Sequence, residues 1–432
     1  MPQEQTHNPG ILRRIKRSLR TSLNARALKK ALQTGIDYNK IVVVCRGGRG
    51  FLDNPKYLVY ALEELCPQKY DFVLLVQNTI GDLPPFVRQV RIGTSAALFE
   101  LATSRFWISD NRFDWPIDKM PQQYYFQTWH ACMGPKRAEG DAEEKLHESY
   151  LAVAKRDGSF TSFMYANDNI HAQAFAHSYW NTGPVVRCGA PRNKVLVCPD
   201  VAASVALRRS LGVPKGHGML LYAPTFRHGL KLDAHPINLQ CCIEALKEKF
   251  GIPFVAAYRL HLEATQAAIP TYLEDFINVS DYPDTQDLLC ATDVLISDYS
   301  SIMEDFLLLG RPCFTYAPDF ASYEKERGFY YPLDSRPAPL AQNEEELFKA
   351  IAAFDSSQFE QNRSEFFRML DVTEDGQGDR ALAQLIHKLM PEGTSIENAI
   401  DACTTAGLFS RALENRGTAP NAQALAAEWD AW

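Results

Sequence analysis

KIVVV (Lys40–Val44), YDFVLLV (Tyr70–Val76), QVRI (Gln89–Ile92), RFWIS (Arg105–Ser109) and YYFQTW (Tyr124–Trp129) are apolar runs of strand length that alternate with stretches of helical pattern. That rhythm predicts a parallel sheet with helices on both faces. SFTSFMY (Ser159–Tyr165) and PVVRC (Pro184–Cys188) continue it. A charged helical stretch around Ala202–Leu211 and the turn-prone Gly212–Gly218 then interrupt it. It restarts with GMLLYAP (Gly218–Pro224), IPFVAAY (Ile252–Tyr258), FINVS (Phe276–Ser280), DVLIS (Asp293–Ser297) and PCFTY (Pro312–Tyr316). The expected fold is α/β, two doubly wound Rossmann-like domains over residues 38–195 and 196–390, facing a cleft. Residues 391–432 have weak periodicity and many small side chains, so a helix pair or a disordered tail is expected there.

The composition suits such a chain. Its 432 residues are 46% hydrophobic and 22% charged, enough for two or three compact units. The ten cysteines are scattered, with one adjacent pair, Cys241–Cys242, and no C-x-x-C. This spacing suggests neither a zinc site nor a disulfide framework but reduced cysteines in a cytosolic protein. The N-terminus lacks the apolar core of a signal peptide, and no run approaches the roughly 18 apolar residues of a membrane span.

Residues 1–37 are the compositional outlier. The net charge is −7, yet Ile11–Thr34 holds Arg13, Arg14, Lys16, Arg17, Arg20, Arg26, Lys29 and Lys30 and no acid. Ile11, Ile15, Leu19, Leu23, Ala27 and Ala31 recur every four residues, which predicts a basic amphipathic helix. Such a helix suits an anionic membrane surface, and the same pattern fits a solvated helix packed on an acidic body or a nucleic-acid contact. The acidic remainder, without basic stripes interleaved with aromatics, argues against nucleic acid as a partner.

Ligands of open α/β sheets bind beyond the carboxyl ends of the strands. Four strand ends carry suitable chemistry. In YYFQTWHACMGPKR, His130 is a candidate general base, with Gly134, Lys136 and Arg137 in the loop behind it; a histidine satisfied by a backbone carbonyl is the competing reading. MLLYAPTFRHG offers Thr225, Arg227 and His228, and FVAAYRLH offers Arg259 and His261, as phosphate contacts or as structural partners. DVLISDYSSIMEDF runs from a strand through Asp298, Ser300 and Ser301 into a helix, where hydroxyls and free N–H groups suit an anion. There Ser301 and Glu304 also fit a capping box. Asp298, Glu304 and Asp305 lack metal-ligand spacing, and neither a metal nor a cofactor is expected. A base candidate on one sheet facing phosphate-binding candidates on the other suits transfer of a phosphate-bearing group from a nucleotide donor.

At these residues the chain resembles the CDP-glycerol glycerophosphotransferase family of teichoic acid and capsule synthesis. LISDYSSIMEDFLLLGRPCFTYAPDFASYEKERGFYYPLD (Leu295–Asp334) is similar to the family's C-terminal signature almost without interruption. QTWHACMGPKR, YAPTFR, CGAPRN (Cys188–Asn193) and FLDNPKYLVYALEE support it, and the resemblance spans roughly Lys40–Met390. It implies a GT-B-like fold and transfer of glycerol phosphate or ribitol phosphate from CDP-glycerol or CDP-ribitol to a lipid-linked or polymeric glycan acceptor, with CMP released, at the inner face of the cell membrane. It implies that His130 is the base, that Arg227, His261, Ser300 and Ser301 hold the diphosphate, and that Asp298 and Asp305 meet the donor's polyol or ribose hydroxyls. Lys136 and Arg137 are the acceptor-side candidates. Two departures stand out: HACMGPKR replaces the common H-G-T-P loop, and Leu262 stands where a proline often follows the second histidine. A glycosyltransferase using a UDP-sugar and a non-catalytic membrane-surface module for phosphopolymers are the alternatives.

Overall fold

The computed structural model describes residues 9–225, 236–260 and 270–413. The first sheet is built from β1 (Asp37–Val44), β2 (Asp71–Val76), β3 (Val87–Arg91), β4 (Ser104–Ser109) and β5 (Tyr124–Gln127), all parallel, in the order β3-β2-β1-β4-β5. In β1, Lys40–Val44 are buried without a break because helices cover both faces of the sheet. Ile41 and Val43 enter the large core shared with the second half, whereas Val42 and Val44 pack on the opposite face with Trp107, Trp115 and Tyr125. β6 (Met164–Ala166) and β7 (Val185–Arg187) form a small parallel pair, which a bridge between Phe126 and Phe163 joins to the edge of β5.

The second sheet repeats the plan. β8 (Gly218–Ala223), β9 (Phe254–Tyr258), β10 (Ile277–Asn278), β11 (Val294–Ser297), β12 (Cys313–Tyr316) and β13 (Leu340–Ala341) run parallel in the order β10-β9-β8-β11-β12-β13. In both sheets the winding reverses beside the first strand, so the crevices open between β1 and β4 and between β8 and β11.

The two ends of the chain both lean on the first half. Helix Pro9–Thr34 covers the basic window, and its last turns dock on helix Ser95–Thr103: Ala31 is buried and the Lys30 ammonium lies 5.1 Å from the Phe99 ring centroid. Leu23 and Leu32 stay exposed. At the other end, helix Gly378–Leu389 packs against helix Asp53–Leu65, and Arg105 donates to the carbonyls of Leu389 and Pro391. Of the stretch expected as a helix pair or disordered tail, the part up to Leu413 is helix Ile396–Thr405 and β14 (Ser410–Leu413), which adds antiparallel to β7. Buried Ile400, Cys403 and Phe409 anchor it. All ten cysteines are unpaired, and no described helix is long and apolar enough to cross a membrane.

Candidate active site

The carboxyl ends of β1, β4 and β5 confront those of β8, β11 and β12 across a cavity of about 1150 Å³. Three contacts fasten the halves around it. Lys56 pairs with Asp284 at 2.7 Å. Main chain at Lys136 bridges Phe329, with Arg137 N–H donating to Gly328 O and Tyr330 N–H to Pro135 O. Between them Arg192, from CGAPRN, donates to Asp53 Oδ1 at 2.9 Å, to Asp305 Oδ2 at 2.8 Å and to the carbonyl of His130. Among the described residues the cavity lining carries eight lysines and arginines against three carboxylates, a surplus that suits a polyanion.

His130 is aimed by its own strand end. After Gln127 the chain turns sharply at Trp129 (φ 51°), whose N–H is held by Gln127 Oε1 and whose carbonyl is held by Asn54 Nδ2. The imidazole then lies on the Trp129 ring, centroids 4.6 Å apart, on the cavity wall. Its Nδ1 is 2.9 Å from the carbonyl oxygen of Asp110. A carbonyl only accepts, so this bond assigns the proton to Nδ1 and leaves the Nε2 lone pair available. Burial pushes the pKa down to about 4, which keeps the ring neutral at physiological pH. The two readings of this histidine therefore coexist: one nitrogen satisfies a carbonyl and the other remains free for chemistry.

On the facing wall Ser300 and Ser301 also line the cavity. Ser301 occupies the N-cap position of helix Ile302–Leu307, but its side chain caps no N–H. The capping box does not form, because Glu304 is instead buried against Arg336 (2.6 Å) and accepts from Tyr331 Oη (2.8 Å). Gly134 permits the close approach of the two walls: a Cβ there would lie 2.8 Å from Ser301 Cβ. Lys136 and Arg137 reach the same space, Arg137 Nε donating to Phe329 O. Burial lowers the Lys136 pKa to about 8, an environment that an incoming anion would relieve.

The two aspartates sit otherwise than expected. Asp298 is buried and does not line the cavity; its carboxylate accepts from the Thr225 amide and hydroxyl and from the Tyr299 amide. It organises the β8 loop. Asp305 does reach the cavity, but Oδ2 is taken by Arg192 and Gln286 and Oδ1 by Asn193. Its geometry fits a brace between the halves. Arg227 and His261 lie outside the described residues. Among those described, no group of three His, Cys, Asp or Glu side chains has the arrangement of a metal site.

A family described as CDP-glycerol:poly(glycerophosphate) glycerophosphotransferase matches residues 26–388. The chain belongs to this family. It is 26% identical over 360 residues to a teichoic acid poly(glycerol phosphate) polymerase of Bacillus spizizenii, covering 80% of this chain and 91% of that one. It is likewise 26% identical to such a polymerase of Staphylococcus epidermidis, of which it spans 51%. A teichoic acid ribitol-phosphate primase of Bacillus spizizenii is 28% identical, over 69% of this chain and 78% of its own length. The solved wall teichoic acid polymerase TagF shares the fold, with a TM-score of 0.76 at 24% identity over 89% of this chain and 98% of that one.

Several residues of this glycerophosphotransferase-family cleft escape a reading by strand ends alone. Arg192 is quoted in CGAPRN, yet its role emerges only once Asp53 and Asp305 come together around it. His171, held by Asp168 at 3.0 Å, lines the cavity from a helix that carries no local motif. Arg46 and Arg49 sit in CRGGRG directly after β1. Glycine-rich sequence at a strand end was the available signal for them.

Proposed function

We propose that the chain transfers glycerol phosphate or ribitol phosphate from a CDP-activated donor to a hydroxyl of a lipid-linked or polymeric acceptor, releasing CMP. The observation that carries this reading is the neutral His130, Nε2 free, facing Ser300 and Ser301 across a cavity rich in cations. Nε2 takes the proton of the acceptor hydroxyl as its oxygen bonds to the β-phosphorus. The bond from that phosphorus to the bridging oxygen breaks, and CMP departs with the bridging oxygen. The two serines, with Arg227 and His261, hold the diphosphate, and Lys136 and Arg137 serve the acceptor side. In this reading residues 38–195 form the acceptor-side domain and residues from 196 the donor-side domain, with the segment beyond Asp371 returned to the first. The basic helix, its last turns docked and Leu23 and Leu32 exposed, supports contact with an anionic membrane surface at the cytoplasmic face.

The test is CMP release from CDP-glycerol and from CDP-ribitol with a lipid-linked disaccharide or primed polymer, beside UDP-sugars as rival donors. Release from a CDP-polyol supports the proposal; turnover with UDP-sugars alone overturns it.

A further inference from the structure

The turn after β1 is built to hold side chains over the cleft. Arg46, Gly47 and Gly48 all have left-handed φ (43°, 64° and 89°), and a Cβ on Gly48 would meet backbone of Leu75 and Gln77 at 3.2 and 3.1 Å. The turn is tied on every side: Arg46 N–H donates to Asp110 Oδ1 at 2.7 Å, Gln77 N–H and Nε2 donate to the carbonyls of Gly48 and Gly47, and Cys45 bridges Gly50. Arg46 and Arg49 thus project into the cavity from a fixed support.

Neither charge is well matched by the protein. Arg49 has no carboxylate within ion-pairing distance among the described residues. Arg46 has one long ion pair, Nη2 to Asp53 Oδ2 at 3.5 Å, and the other oxygen of that carboxylate is held by Arg192 at 2.9 Å and by the Asn54 amide at 2.8 Å. On the other wall Arg259 ends β9, its Nη1 donating to the carbonyls of Val279 and Tyr282 at 3.0 and 2.7 Å; Asp284 and Asp281 favour its charge from farther off, and no described carboxylate lies within ion-pairing distance. Burial, and then the charge of Arg46, push the Arg259 pKa down to about 10. Two guanidiniums from opposite halves repel each other across one space that faces solvent-borne ligands.

We propose that Arg46 and Arg259, assisted by Arg49, form an interdomain clamp for a diphosphate. The inference rests on the donor reading above and extends it to the wall that reading leaves without a donor contact. Strand spacing decides between a diphosphate and the single phosphodiester of an acceptor. Arg259 ends β9 and Ser300 and Ser301 follow β11, two strands away through β8, which is about 10 Å. A nucleoside diphosphate sets two charged phosphates along that row, and its charge relieves the repulsion.

Calorimetric titration of the full chain with CDP, CMP and inorganic pyrophosphate tests this, using wild type, Arg46→Gln, Arg259→Gln and the double variant. Each single change weakens CDP binding about tenfold or more while CMP affinity stays nearly unchanged, and the double variant loses less than the two single losses combined. Thermal melting checks folding, and Arg49→Gln, on an exposed side chain of the same turn, supplies a smaller loss of the same sign if Arg46→Gln fails to fold. Unchanged CDP affinity in folded variants overturns the clamp, as does a loss confined to the KM of the acceptor. If wild type binds pyrophosphate through these arginines but no CDP-polyol, the clamp stands and the donor reading falls. If it binds neither, both fall.

Discussion

The two walls of the cleft are built on different principles. Much of the second wall comes from one stretch, Leu295–Asp334, whose buried acids serve the protein itself: Asp298 ties the Thr225 loop, Glu304 meets Arg336 and Tyr331, and Asp305 braces Arg192. Ser300 and Ser301 face the cavity from this stretch with their hydroxyls, beside Asp305, Asp319, Glu326 and Arg327. The first wall draws on the ends of β1, β4 and β5, on the helix that carries His171 and on the CGAPRN loop, and places two imidazoles and several arginines there. The first wall's side chains are thus gathered from distant segments, whereas the contiguous, recognisable segment carries a buried polar scaffold beneath its cavity-lining residues.

That contrast can be broken by substitutions on either side. The largest expected effect is on the first wall: His130→Ala lowers the rate of CMP release by about 10²–10⁴-fold with the Kd for CDP-glycerol nearly unchanged. Preserved turnover would remove His130 from the chemistry. On the second wall, Glu304→Ala leaves Arg336 as an unpaired buried charge and is expected to destabilise the fold by about 3–5 kcal/mol in chemical denaturation. A loss below about 1 kcal/mol would show that the scaffold does not depend on this pair. Ser301→Ala, smaller again, lowers kcat/KM about tenfold at unchanged melting temperature, since the hydroxyl caps no helix. A drop in melting temperature instead would return Ser301 to the scaffold.

The fold was legible almost throughout, because each buried strand writes itself as an apolar run. β1 and β8 stand in the sequence as KIVVV and GMLLYA. The place of His130, Ser300 and Ser301 on the cavity was legible because each follows a strand end. The partners of Asp298 and Asp305 were not legible, because each carboxylate accepts from buried donors that come from as far as Arg192 and Thr225. No local pattern announces such a partner; only the folded topology brings it within reach. The same limit hid Arg192, since its two carboxylates lie more than a hundred residues away on either side. The end of the chain was obscure for a different reason: Ile396–Thr405, which packs on helix Gly378–Leu389, is short and rich in small residues, so it carries little periodicity.

The walls also differ in the sign of their response to pH. The proposed mechanism needs neutral His130, whose pKa in the free protein is held at about 4, chiefly by burial, against 6.5 for an ordinary imidazole. The kcat/KM profile should therefore stay level from neutrality to about pH 5 and fall only as the pH nears 4, because that ratio reports the free enzyme. Asp53 raises and Arg46 lowers this pKa, so Asp53→Asn should move the acid limb to lower pH and Arg46→Gln to higher pH. Stability follows the same group in the same direction: the unfolded chain takes up the proton first, so the contribution of His130 is lost as pH falls from about 6.5 toward 4. For Glu304 and Asp305, burial raises the folded pKa above the unfolded value. The folded state holds their protons longer, so their contribution is present at low pH and lost as pH rises through the raised pKa. Melting curves of His130→Ala and Glu304→Gln against wild type should thus show differences of opposite slope in acid, and parallel slopes would mean that the walls share one titrating network.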